Sequence, residues 1–175
     1  MSQHYDIVKD CLRGERKAQH ELYRLYSKAM YNTCLRMLGS IENAEDVLQN
    51  AFIDVYTNLE HFRFESSVGT WIKRIVVNNC INFIHKKKLG ITELNENIVE
   101  TYHDTTPDEM NETELSVEQI KNAVQKLPEG YRVVFSLYAF EGYDHEEIAE
   151  ILKISESTSK SQYSRAKSKI RSLIG

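Results

Sequence analysis

The chain has 175 residues, of which 41% are hydrophobic and 27% charged, with a formal net charge of −4 and only two prolines and seven glycines. This composition suits a soluble helical protein of one domain or two small ones, and argues against a β-rich or collagenous chain. No apolar run approaches the roughly 18 residues of a membrane span, and the N-terminus MSQHYDIVKD lacks a signal peptide's apolar core, so a cytosolic protein is expected.

The three cysteines, Cys11, Cys34 and Cys80, are far apart, no C-x-x-C occurs, and the six histidines are scattered. Neither a disulfide framework nor a metal site is expected. Each cysteine falls within a helical pattern and reads as a small packing residue.

The acidity is not spread evenly. Residues 1–90 carry 13 basic and 10 acidic side chains, residues 91–126 carry 2 and 9, and residues 127–175 carry 7 of each. The negative charge therefore sits in the middle of the chain. The two flanking parts remain free to meet a polyanion, because local rather than total charge sets the electrostatic footprint.

Taken in chain order, Leu22, Leu25, Tyr26, Ala29, Met30, Thr33 and Met37 follow the i, i+3, i+4, i+7 spacing of one helix face. Gly39-Ser40 interrupts the pattern, with Ser40 placed to cap a second helix whose apolar stripe is Ala44, Val47, Leu48, Ala51, Phe52 and Val55. A polar, aromatic loop, HFRFESSVGT, precedes a third helix from about Thr70 to His85 that ends in Lys86-Lys87-Lys88. Residues 89–116 show no period, hold Thr106-Pro107, and contain too few apolar side chains for a core, which is the composition of a linker. A coil of that length averages about 30 Å end to end, close to one turn of DNA at about 34 Å.

Four more helices are expected in residues 117–175: about Val117–Lys126, Pro128–Phe140, Asp144–Leu152 and Ser155–Ile174. Pro128 suits a first turn, Gly142 a chain reversal, Asp144 and Glu147 the spacing of a capping box, and Ser155 a cap for the last helix. On that last helix Tyr163, Ala166, Ile170, Leu173 and Ile174 share one side, while Lys160, Ser164, Lys167 and Arg171 form an adjacent basic strip. Two short helices around a tight turn, the second of them basic, make a helix-turn-helix, in which the second helix enters the major groove. Lys160, Ser161, Gln162 and Arg165 lie near its entering end, where Lys and Arg can bond guanine edges. A basic helix alone is more often a solvated face. The preceding EEIAEILKIS favours the DNA reading, because small Ala149 permits close approach and Ile148, Ile151 and Ile154 lock the helix pair.

Together these residues resemble the fourth domain of bacterial sigma factors of the extracytoplasmic-function (ECF) group, through LPEGYRVVFSLYAFEGYDHEEIAEILKISESTSKSQYSRAKSKI. NAEDVLQNAFIDVYTNLEHFR and TWIKRIVVNNCINFIHKKK resemble the second domain's polymerase-binding and promoter-melting helices. The resemblance covers about 20–88 and 117–173, in the right order. It implies an all-α protein of two small helical domains, 1–88 and 117–175, joined by a flexible acidic linker, 89–116.

Four positions depart from the family pattern. Lys153 stands where a turn glycine is usual, and a left-handed backbone there costs about 1 kcal/mol. Ser159 stands where an apolar residue is usual, on the apolar side of the wheel. His85-Lys86-Lys87 replaces an arginine-rich ending, and Asn82 replaces a common Asp. The first two suggest a loosely packed reading head.

The resemblance also implies roles. Asp46, Gln49, Asn50, Phe52 and Ile53 would meet the clamp helices of core RNA polymerase. Ile53 is apolar among polar neighbours, which suits an interface. Arg63, Phe64, Glu65, Ser66, Ser67 and Val68 would form the pocket for a flipped base of the minus-ten element. Trp71, Arg74, Asn78 and Asn82, on one strip of the third helix with His85, would contact melted DNA, and Lys86 and Lys87 its phosphates. Trp71 reads equally well as a core-edge anchor. Lys160, Ser161, Gln162, Ser164, Arg165 and Lys167 would read the minus-thirty-five element in double-stranded DNA. The acidic linker would either thread toward the polymerase's basic cleft or serve as a solubilising spacer. The partners implied are core RNA polymerase, through its clamp helices and flap, promoter DNA and an anti-sigma factor. No cofactor is implied.

The competing function is a helix-turn-helix repressor or activator with a helical dimerisation or sensor domain. Such a protein needs neither a polymerase face nor a melting helix. An enzyme is the third class. No phosphate-binding glycine loop, carboxylate pair or nucleophile constellation supports one, and His145 at a capped helix start reads as structural or phosphate-facing.

Overall fold

The computed structural model describes residues 2–92 and 117–174, and every α-helix or 3-10 turn named below lies among them. The chain divides into two units, residues 1–84 and 85–175.

In the first unit, α1 (Ser2–Leu12) leads through a turn at Gly14 into α2 (Arg16–Leu38), α3 (Ile41–Thr57), a 3-10 turn (Leu59–His61) and α4 (Val68–Thr92), whose last turns, from His85, run past the unit's boundary. Gly39 ends α2 with φ 68°, a left-handed backbone that glycine takes without strain, and its N–H donates to the Leu35 carbonyl. Ser40 then caps α3, its hydroxyl accepting from the Asn43 N–H at 3.3 Å. The amphipathic stripe of α3 lies inward as expected. In α2 the inner face is Ala18, Leu22, Met30, Thr33, Cys34, Met37 and Leu38, while Leu25 and Ala29 stand in solvent. Thr33 can be buried because its hydroxyl returns to the Ala29 carbonyl at 3.4 Å. All three cysteines are buried.

Two differences from expectation concern helix ends. α1 was not read from the sequence; it packs on α2 and on the 3-10 turn, with Val8 and Cys11 buried. α4 begins at Val68, because Ser67 caps it by accepting from the Thr70 N–H at 3.1 Å, and it continues to Thr92, four residues into the expected linker. The remainder of that linker, 93–116, lies outside the described residues.

The second unit holds α5 (Val117–Gln125), α6 (Glu129–Ala139), α7 (His145–Leu152) and α8 (Glu156–Ile174). Pro128 sits just ahead of α6 rather than in its first turn. Its core joins Ala123, Val124 and Leu127 to Phe135, Ala166 and Ile170. Ile148 of α7 is also fully buried. Leu173, expected on the apolar side, is 39% exposed.

Candidate nucleic-acid interface

The first unit presents two outward faces. On α3, Asp46, Gln49, Asn50 and Ile53 all stand in solvent, and Ile53 is 62% exposed. Phe52 does not join them. A step of three residues from Gln49 turns the helix by about 300°, which carries position 52 over the core. There it is 3% exposed, with the Tyr23 ring 4.7 Å and the Tyr56 ring 6.2 Å away.

On α4, Arg74, Asn78, Asn82, Lys86 and Lys87 are exposed, while Ile72, Val76, Val77 and Cys80 turn inward. Trp71 is half-buried, its ring 5.2 Å from Phe62. It is thus both a core-edge anchor and the first member of the outward strip. Asn79, beside that strip, ties α4 to α3: its amide donates to the Asp54 carboxylate at 2.9 Å and to the Ile75 carbonyl at 3.0 Å.

The loop between the 3-10 turn and α4 carries Arg63, Phe64, Glu65 and Ser67 in solvent and Ser66 half-buried. Val68 is not a loop residue; it opens α4 and is 2% exposed. Phe64 has φ 60°, a left-handed backbone that a bulky side chain rarely adopts. Its ring lies 4.7 Å from Phe62 and 5.3 Å from Tyr5 of α1. The rings of Tyr5, Phe64, Phe62 and Trp71 therefore form a continuous aromatic run into the strip on α4.

In the second unit, Asp144 and Glu147 form the expected capping box at the start of α7, with bonds of 2.8 and 2.9 Å. Lys153 takes the left-handed conformation of the turn, φ 55° and ψ 44°. Ser155 caps α8, accepting from the Thr158 N–H at 3.0 Å. Ser159 is fully buried, and its hydroxyl lies 2.9 Å from Nδ1 of His145. His145 in turn stacks on Tyr138 at 4.5 Å. The polar residue at 159 is thus satisfied across the helix pair, and the reading head is held there by a hydrogen bond in place of an apolar contact.

Along α8, Lys160, Ser161, Ser164, Arg165 and Lys167 are exposed. Gln162 is half-buried and turned to α6, its amide oxygen 3.6 Å from the point where a Cβ on Gly130 would stand. It packs against the neighbouring helix of the unit. Lys160 pairs with Glu156 at 2.6 Å, and that carboxylate raises the ammonium pKa. The Lys167 ammonium sits 5.0 Å above the Tyr163 ring.

Sequence reasoning missed Tyr5, Ile41 (63% exposed at the start of α3) and the His145–Ser159 bond. The spacing Tyr5, Val8, Cys11 was the available signal for α1.

The family described as Sigma-70 region 2 matches residues 22–89, and that described as Sigma-70, region 4 matches residues 117–170. The ECF RNA polymerase sigma factor SigW of Bacillus subtilis (strain 168) is 31% identical over 176 residues, 94% of this chain and 92% of its own length. This chain belongs to the ECF sigma factors. The ECF sigma factor SigM of Mycobacterium tuberculosis (strain ATCC 25618 / H37Rv) is 27% identical over 162 residues, covering 93% of this chain and 80% of its own. The co-crystal structure of the sigma factor RpoE with the anti-sigma factor NepR from Bartonella quintana shares the fold, with a TM-score of 0.57 and 19% identity over 88% of this chain and 94% of that one. An ECF sigma factor binds core RNA polymerase, directs it to specific promoters and helps open promoter DNA, and that is the function of this chain. A repressor with an unrelated sensor domain would have no counterpart of region 2. Among the described residues no helix is long and apolar enough to cross a membrane.

Proposed function

We propose that the work of initiation is divided among three surfaces. The outer face of α3, with Asp46, Gln49, Asn50 and Ile53, docks on the clamp helices of core polymerase. Residues Arg63–Ser67 capture a base of the minus-ten element, and Trp71, Arg74, Asn78 and Asn82 hold the melted strand. Lys86 and Lys87 meet phosphates, a salt-sensitive contribution without sequence preference. In the second unit, Lys160, Ser161, Ser164, Arg165 and Lys167 read the minus-thirty-five element, with the flap of polymerase as the unit's protein partner.

The observation that carries this reading is the chemistry of the first unit's two faces. One is carboxylate and amide around a solvent-exposed isoleucine, which suits a protein partner. The other runs from aromatic rings through amides to lysines, which suits unstacked bases followed by phosphates. Asp46→Lys combined with Gln49→Ala should weaken binding to core polymerase in a titration, while Asn78→Ala should leave that binding intact and reduce run-off transcription from a cognate promoter. An unchanged polymerase affinity in the first variant, or wild-type transcription in the second, overturns the corresponding assignment.

The protein acts by binding, without catalytic chemistry of its own, and works in the cytoplasm, where polymerase and promoter DNA meet. An anti-sigma factor is proposed as its regulator, on the likeness to RpoE solved with NepR. For the acidic segment, neutralising its carboxylates and measuring abortive initiation separates a role in the polymerase cleft from that of a spacer.

A further inference from the structure

Phe64 is the most unusual residue of the first unit. It is 41% exposed and holds a left-handed backbone at φ 60°. A bulky residue keeps such a conformation only when its surroundings hold it there, and conformations of this kind gather at ligand-gripping sites. The surroundings are visible. Phe62, 5% exposed, meets the ring at 4.7 Å with the planes tilted by 51°, and Tyr5 meets it in a T-shaped contact at 5.3 Å.

Tyr5 belongs to α1, an element outside the sequence stretch that resembles the family's DNA-binding helices. Its place is well fixed. His4 Nδ1 lies 2.7 Å from the Tyr26 hydroxyl of α2. The Tyr26 ring in turn stands against Gly69 in the first turn of α4, so close that a Cβ there would come within 3.0 Å of it. Val8 and Cys11 bury the next turns of α1. The N-terminal helix is therefore braced against the same end of α4 from which the outward strip begins.

We propose that Tyr5 is a positioning residue of the base pocket: it buttresses Phe64 so that the free face of that ring receives an unstacked base of the melted promoter strand. This rests on the reading that the loop Arg63–Ser67 captures such a base. The ligand is a single unpaired nucleobase, whose π-face an aromatic ring takes up with little regard to sequence. Arg63, between Phe62 and Phe64, and Arg74, one turn along α4 from Trp71, stand in solvent and supply positive charge for the flanking phosphates.

The test uses holoenzyme reconstituted from core polymerase and the full chain. A single-stranded DNA that binds is taken from a random pool, each of its positions is replaced in turn by an abasic site, and the position whose loss costs wild-type holoenzyme most is followed. The readout is the ratio of affinities for the intact and abasic strands. Loss of one stacked base should lower wild-type affinity on the order of tenfold. Phe64→Ala should bring the ratio close to one. Tyr5→Leu, which keeps the volume but removes the ring, should bring it below about threefold, and Tyr5→Phe should restore it. A wild-type ratio in Tyr5→Leu overturns the role of Tyr5 while leaving the pocket standing. A wild-type ratio in Phe64→Ala overturns the pocket itself. Because each complex is compared with itself on two strands, partial misfolding leaves the ratio at its wild-type value and counts against the proposal.

Discussion

His145 Nδ1 and Ser159 Oγ lie 2.9 Å apart between α7 and α8, and Ser159 is wholly enclosed. The bond joins the first helix of the helix-turn-helix to the second. Ser159→Ala should destabilise the second unit by about 1 kcal/mol, the net worth of one such bond. For a unit of this size that is a fall in melting temperature of about 4–8 °C. In a His145→Ala background the same substitution should cost much less, and a double-mutant cycle by thermal denaturation measures the difference.

Lys153 bears a strained left-handed backbone at the end of α7, where its N–H donates to the Ala149 carbonyl. Lys153→Gly removes the clash of Cβ with the left-handed conformation, at the cost of a more flexible unfolded chain. The balance should favour the glycine by about 0.5–1 kcal/mol, seen as a higher denaturant midpoint with an unchanged slope.

Glu156 holds the Lys160 ammonium at 2.6 Å, so where Lys160 contacts DNA as proposed, the carboxylate competes with the phosphates for it. Glu156→Gln should therefore tighten binding of holoenzyme to minus-thirty-five DNA and steepen its salt dependence. Lys160→Ala should weaken binding to minus-thirty-five DNA and reduce the salt slope by about one. Affinities measured over a salt series decide both.

Tyr56 sets an alkaline limit on the first unit. Burial pushes its phenol up to about 12 from an ordinary 10.0, and its hydroxyl donates to the Gln19 carbonyl at 2.8 Å. Burial, with Asp10 and Glu15 nearby, likewise lifts the Cys11 thiol from 9.0 to about 11. Both groups fold in their protonated forms. Their contribution is complete below the unfolded pKa values and is lost as pH climbs from about 9 to about 12. Tyr56→Phe should cost about 1 kcal/mol at neutral pH and flatten the loss above pH 10. Urea melts across this range test it, and Cys11 should resist thiol reagents until the unit unfolds.

The helix plan was legible in the sequence wherever apolar spacing and capping chemistry agreed. Ser40, Asp144 with Glu147, and Ser155 cap where they were expected to, and Ser159 lies inward because the wheel placed it there despite its hydroxyl. The inner face of α2 was harder to read. Thr33 satisfies its own hydroxyl and enters the core, while Leu25 and Ala29 find nothing to cover them. α1 was missed because its burial depends on partners distant in sequence, Tyr26 and the 3-10 turn. The same limit explains Val68 and Gln162, while at Phe52 the apolar stripe read the burial correctly and the family motif did not. A wheel or a motif gives a side chain's direction, but only the folded neighbours decide whether that direction leads to solvent.

Asp54 and Asn79 meet between two helices whose outer sides bear different chemistry. If α3 docks on polymerase as proposed, everything it displays outward can keep one vocabulary, suited to a single unchanging protein surface. Beyond Trp71, the exposed positions of the α4 strip can be respelled without disturbing the packing beneath them. A cell holding several such chains can thus give each its own set of genes while all of them share one machine.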